Sequence, residues 1–162
     1  MKNNQLTISG AVVFKEVRGK KLFLVVKLPN EDKWEIAKVT VRRGESSIRA
    51  AIRMTSEQAG MNARVLEEAY RSTSSVFVNG KSVPQRFYYY LMRLRAISEV
   101  LGFQDFKWVE IPKAVQMVYL KREKTVFVNA KKVLKDWEKS PRAKQVQQQE
   151  EEQALLASEG QA

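Results

Sequence analysis

The residues best suited to chemistry lie between Trp34 and Met61, in WEIAKVTVRRGESSIRAAIRMTSEQAGM. Two carboxylates, Glu45 and Glu57, flank Arg53 there. The chain has no cysteine, so it has no disulfide, thiolate nucleophile or zinc-thiolate cluster. It has no histidine, which excludes serine-histidine machinery and an imidazole general base. Any catalysis must run on carboxylates, lysine, tyrosine or a bound metal.

The elements that would position these groups are legible nearby. A strand-like entry leads to a loop closed by Gly44-Glu45-Ser46. A helix from about Ser46 to Ala59 follows, with Ser46 or Ser47 accepting a bond from a free N–H at its start. Ile48, Ala51, Ile52, Thr55 and Ala59 recur at three- and four-residue steps and predict its buried stripe. Residues 54, 57 and 58 share another face, which reads Met54, Glu57, Gln58. Gly60 stands where a left-handed C-terminal residue is expected.

This stretch resembles the Nudix box, the signature of the Nudix hydrolases. That pattern is G, five residues, E, seven residues, then R-E-U-x-E-E-x-G-U, with U a bulky aliphatic residue. Glu45 aligns with the first acid and Arg53 with the arginine. Glu57, Gly60 and Met61 match the terminal pair's first acid, the last glycine and the final U without a gap. Ser9 to Phe14 resembles the opening strand of the diadenosine-polyphosphate branch. Trp34 and Lys38 fit its W-x-x-P-K-G approach, and Phe106 to Val109 its late strand. The resemblance spans about residues 6–138. It implies an α/β fold, a mixed sheet sandwiched between helices, over a domain of residues 1–139. A Gln/Glu-rich flexible tail, residues 140–162, follows.

The departures bear on activity. Val39 replaces the first box glycine, Ala37 the proline, Met54 the glutamate after Arg53, and Gln58 the second acid of the terminal pair. In the family, three carboxylates on this face hold a divalent metal against a diphosphate. A thioether is a poor ligand for Mg²⁺, and a glutamine oxygen brings no charge. Glu57, helped by Glu45, would make only a weak Mg²⁺ or Mn²⁺ site. The expectation is no cofactor, or Mg²⁺/Mn²⁺ if activity survives.

Elsewhere, residues 6–14 and 21–28 read as strands around a Val17–Lys20 turn, the second apolar on both faces. Strands follow at 63–70, 72–78, 86–94 and 106–111, with Asn79-Gly80 as a tight turn. Pro112 opens a helix to about Leu120. A last helix, Val126 to Trp137, buries Phe127, Ala130, Val133, Leu134 and Trp137. Alternation along Tyr88-Tyr89-Tyr90 sends Tyr89 to one face and its neighbours to the other, with a core role favoured over base stacking. Met54 falls on the acidic face rather than the buried stripe, which favours an altered site over a gap filler.

Charge is the second signal. The 162 residues carry a net +11, and residues 1–139 hold 27 basic against 14 acidic residues, or +13. Such a field draws polyanions. Lys38, Arg42, Arg43, Arg49 and Arg86 are the candidate phosphate or nucleic-acid contacts, with Arg53 freed by the missing acid beside it. No apolar run approaches the ~20 residues that span a bilayer. The N-terminus lacks an apolar signal core, so a cytoplasmic, non-membrane protein is expected.

Three functions fit. One is a catalytically weak or inactive hydrolase homologue binding a phosphate-rich ligand, nucleotide or RNA. Another is a divergent hydrolase of nucleoside-diphosphate-linked compounds, recruiting Glu99 or Asp105 to rebuild a metal site. The third is a structural module of a nucleoprotein assembly. Ligand and oligomeric state stay open at this point.

Overall fold

The computed structural model describes residues 5–97 and 103–159. Strand β1 (Leu6–Val17) is its spine. One edge of β1 pairs in parallel with β5 (Lys81–Ile97). The other edge is shared. Its first half pairs with β3 (Lys38–Thr40) and its second half with β2 (Lys20–Lys27), both antiparallel. Beyond β5 lies β4 (Met61–Val78), and beyond β2 lies β6 (Asp105–Val109). The sheet is therefore mixed, as expected.

The two tight turns form where the sequence places them. Arg18 and Gly19 have φ of 53° and 78°, and Asn79 and Gly80 have 53° and 77°. Paired positive values match the twist of a two-residue hairpin. The stretches expected as separate strands at 63–70 and 72–78 are one strand, because β5 continues beside them as a single partner. Three register shifts in its first half absorb the irregularity.

Alternation divides the core between two faces. Val12, Phe14, Phe23, Val25, Phe87 and Tyr89 meet α2 (Ile111–Met117) and α3 (Lys121–Glu138) on one side. Ala11, Val13, Leu24, Val26, Tyr90 and Met92 meet α1 (Ser47–Arg53) on the other. Phe23 to Val26 is buried on both faces, as its unbroken apolar run predicts. The layers are helix, sheet, helix. All three tyrosines of the run lie on the predicted sides: Tyr89 and Tyr90 are buried, and Tyr88 packs partly against the α1 cluster.

On α3, Phe127, Ala130 and Leu134 are buried, with Val133 and Trp137 partly so. Where the sequence predicts a flexible tail, the structure has helix α4 (Pro141–Glu159). The Ser140 hydroxyl accepts from Ala143 N at its start, and Ala143 and Val146 are buried. From Glu151 to Glu159 every residue is exposed. Among the described residues, no helix is long and apolar enough to cross a membrane.

Candidate functional site

Box loop and helix are built onto β1 and β5. Val41 N donates to Thr7 O at 2.8 Å, which ties the loop to the start of β1. Ser46 caps α1, its hydroxyl accepting from Arg49 N at 3.2 Å. Ser9 Oγ donates to Ser47 O at 2.6 Å, and the Ser47 and Tyr90 hydroxyls share a hydrogen bond. These contacts fix the first turn of α1 over the middle of the sheet.

The helix then widens. Met54–Gln58 forms a π turn, with Ala59 N donating to Met54 O five residues back. Thr55 Oγ1 donates to Ala51 O and Ile52 O at 3.1 and 3.0 Å, a back-bond from the hydroxyl to the preceding turn. Gly60, at φ 62°, ends the segment as expected.

This geometry corrects two expectations. The buried stripe is Ala50, Ala51, Met54, Thr55 and Ala59, whereas Ile48 and Ile52 are 44% and 42% exposed. The two alanines and Met54 take the sheet-facing positions, which leaves the bulkier isoleucines on the helix's flanks. Met54 does not stand on an acidic face. It is fully buried, packed in the cluster of Ala11, Val13, Met61 and Met92, and fills a gap as methionine commonly does. The π turn breaks the 3.6-residue spacing from which a face shared by residues 54, 57 and 58 is inferred.

The polar residues are also committed. Arg53 donates to Glu45 through Nε (2.8 Å to Oε2) and Nη2 (3.0 Å to Oε1). Arg53 is therefore not freed by Met54. Glu45 Oε1 also accepts from Arg42 N at 3.1 Å. The Arg53 bond, then the Arg42 amide, hold its carboxyl down at about 2, below the ordinary 4.5. Glu45 supports the loop. Val39 lies on β3 opposite Ser9, partly packed in the α1 cluster. Glu57 and Gln58 are exposed on the π turn.

Lys38 belongs elsewhere. Its ammonium donates to Glu35 Oε1 at 2.6 Å and Ile36 O at 3.2 Å, and lies 3.0 Å from Glu123 Oε2, on the α3 side of the sheet. Glu123 accepts from Ile36 N (2.8 Å) and from the Tyr89 hydroxyl (2.9 Å), to which Arg122 Nε also donates (3.0 Å). Burial raises the Glu35 carboxyl and the Tyr89 hydroxyl above their usual ranges, against Lys38 in the first case and with Glu123 in the second. Sequence reasoning misses this network. Glu123 sits in LKREK, between the helices expected to end at about Leu120 and to start at Val126; α3 instead begins at Lys121, and only the fold aims Glu123 inward.

Arg42, Arg43 and Arg49 are exposed on the loop and first turn. Arg86 is exposed on β5, next to Thr7 in the register. Of the five predicted cations, Arg42, Arg43 and Arg49 are on the box loop and first turn and Arg86 is beside Thr7, which anchors that loop, whereas Lys38 is engaged on the α3 side.

No protein-family model matches this sequence, and no curated protein matches it closely. Solved structures do match. An Ap4A hydrolase of C. elegans, in a binary complex, aligns with a TM-score of 0.66 at 23% identity, over 81% of this chain and 98% of that one. The E. coli dihydroneopterin triphosphate pyrophosphohydrolase aligns at 0.60 and 14% identity, over 75% and 91%. The Nudix domain of Shewanella oneidensis NrtR, complexed with ADP-ribose, aligns at 0.59 and 18%, over 80% and 88%. The chain has the Nudix fold.

In this Nudix fold the residues at the box positions do not fit the hard divalent ion that the resemblance implies. Such an ion takes several oxygen ligands, mostly charged. Met54 is buried, Glu45 is held by Arg53, and Glu57 is the remaining exposed box carboxylate. Among the described residues no three acidic side chains converge. Asp105 accepts from its own neighbour, Phe106 N, at 2.8 Å, and Glu99 lies outside the described residues.

Proposed function

We propose that this chain is a Nudix-family protein whose box no longer supports efficient metal-dependent hydrolysis. It binds a phosphate-rich ligand, nucleotide or RNA, on the basic face around the box loop. The observation that carries this reading is the burial of Met54 beside a Glu45 already tied to Arg53, which leaves Glu57 as the exposed acid among the box carboxylates. Arg42, Arg43, Arg49 and Arg86 are exposed on the loop, the first turn of α1 and the start of β5, against that single exposed box acid on the π turn, so the face attracts phosphate rather than a cation. The basic excess of residues 1–139 supports the same partner.

Two assays test it. Dinucleoside polyphosphates, nucleoside-diphosphate sugars and nucleoside triphosphates are offered with Mg²⁺ or Mn²⁺, and the expected turnover is absent or very weak. Binding of single-stranded RNA is measured across a salt series. Each phosphate contact contributes a slope of about −0.7 in log affinity against log salt. Changing Arg42 and Arg43 to alanine should weaken binding and flatten the slope by up to about 1.4. Divalent-dependent turnover that Glu57→Gln abolishes would overturn the first half of the proposal, and unchanged RNA affinity in the double variant the second.

A further inference from the structure

Strands β4 and β5 run on together past the rest of the sheet. β1 first meets β5 at Leu6, opposite Gln85, and from Ser75–Pro84 out to Val78–Lys81 the two strands pair only with each other. At ~3.3 Å per residue, this ribbon extends about 16 Å from Gln85 to its turn. Ser74, Ser75, Val78, Lys81, Ser82 and Pro84 are all exposed along it. Near the tip, Phe77 is 78% exposed.

One face of the ribbon is continuous with the box side of the molecule. Phe77 lies opposite Ser82, Ser75 opposite Pro84, and Thr73 opposite Arg86. Two residues further on come Arg71 and Tyr88, with the guanidinium 5.3 Å from the ring centroid, and Tyr88 packs on the α1 side. Arg86 sits beside Thr7, whose carbonyl anchors the box loop through Val41 N. A ligand lying on Arg42 and Arg43 therefore has this ribbon as its continuation.

Charge selects the kind of ligand. From Arg71 to Arg95 the sequence carries Arg71, Lys81, Arg86, Arg93 and Arg95 and no acidic residue. Arg71 is paired with Glu68 and Arg93 with Glu150, so Lys81 and Arg86 are the arm's available cations. Arg86 shares the Phe77 face, whereas Lys81, opposite Val78, projects from the other face at the tip. An exposed ring with a cation along its face is the arrangement that holds a single strand: a base stacks on the ring and the backbone phosphate meets the cation.

We propose that the arm from Thr73 to Arg86 is a contact for single-stranded nucleic acid, with Phe77 as its stacking platform and Arg86, on the same face, on the backbone. This rests on the reading of the box face as a phosphate-binding surface and narrows the ligand from a lone nucleotide to a strand long enough to span both.

The test uses the full chain and a single-stranded oligouridylate of about 16 nucleotides, followed by fluorescence anisotropy over a salt series. Phe77→Ala should weaken binding about fivefold or more with the salt slope unchanged, and Phe77→Tyr should restore it. Arg86→Ala should flatten the slope by up to about 0.7, and Lys81→Ala, on the other face, should leave it unchanged. Phe77 is exposed, so its variants leave the core intact. Parental affinity in Phe77→Ala, with loss in the Arg42 and Arg43 double variant, overturns the arm and leaves the box reading standing. Loss in Phe77→Ala alone supports the arm and overturns the box reading. Failure of the parent protein to bind at low salt overturns both. A dimer that Phe77→Ala dissolves without changing RNA affinity identifies the ribbon as a self-association surface and overturns the proposal.

Discussion

Glu45 grips Arg53 with both carboxylate oxygens, and the same carboxylate accepts from the Arg42 amide, so one acid ties the basic loop to the box helix. The folded-state pKa of Glu45, about 2, lies below the ordinary 4.5. The clamp's contribution is therefore complete above 4.5 and fades as pH falls toward about 2. Glu45→Gln should melt slightly below the parent near neutrality, a modest effect for a solvent-screened pair. That difference should close on acidification through this window in thermal melts. A difference that stays constant with pH would show that the clamp does not act through charge.

The helix packs through alanine, and substitutions should reveal it. Ala51→Leu pushes a side chain into a filled interface and should cost about 1–3 kcal/mol in urea unfolding. Ile52→Asp, at a 42% exposed position, should stay within about 1 kcal/mol of the parent. The reverse order would place the isoleucines, not the alanines, against the sheet.

Restoring carboxylates should have unequal consequences. Met54→Glu buries a charge in an apolar cluster and should destabilise by several kcal/mol. Gln58→Glu adds an exposed acid beside Glu57 and should tighten Mn²⁺ binding in calorimetric titration, an increase that Glu57→Gln removes. Tighter metal binding from Met54→Glu alone, without loss of stability, would contradict its burial.

Gly10 lies beside Tyr89 in the sheet, and a methyl group added there would approach the ring to 2.5 Å. The ring cannot swing away freely, because its hydroxyl is engaged by Glu123 and Arg122. Gly10→Ala should cost about 1–3 kcal/mol in chemical denaturation. Tyr89→Phe, which takes the hydroxyl donor from the buried Glu123, should cost a similar amount. If both unfold like the parent, the ring is not held against β1.

The contrast between these positions explains what the sequence makes legible. Asn79-Gly80, Gly60 and the stripe on α3 are local signals, each set by a φ preference or a regular period, and the structure has them as read. Alternation likewise sorted Tyr88, Tyr89 and Tyr90 correctly. Met54 misled because regular spacing groups it with Glu57 and Gln58, whereas it follows Ala50 and Ala51 at ordinary helical spacing on the buried stripe and the π turn that begins at it carries Glu57 and Gln58 away. Ile48 and Ile52 misled because the periodicity of apolar residues does not tell which of two adjacent stripes, alanines or isoleucines, faces the sheet. Lys38, Glu35 and Glu123 were opaque for another reason. Their burial depends on three segments meeting, and each segment alone looks solvated.

The bond from Ile36 N to Glu123 joins residues 87 positions apart and has an order-of-assembly consequence. The segment leading into the box inserts where β1 and β2 part, its Ile36 amide finds its acceptor on α3, and its half-buried Lys38 finds a second carboxylate there. During synthesis the box residues emerge well before Lys121, and contacts of such sequence separation form late. Until α3 docks, the Ile36 amide lacks its acceptor and Lys38 has Glu35 but not its second carboxylate, so the box is finished by a helix made long after it.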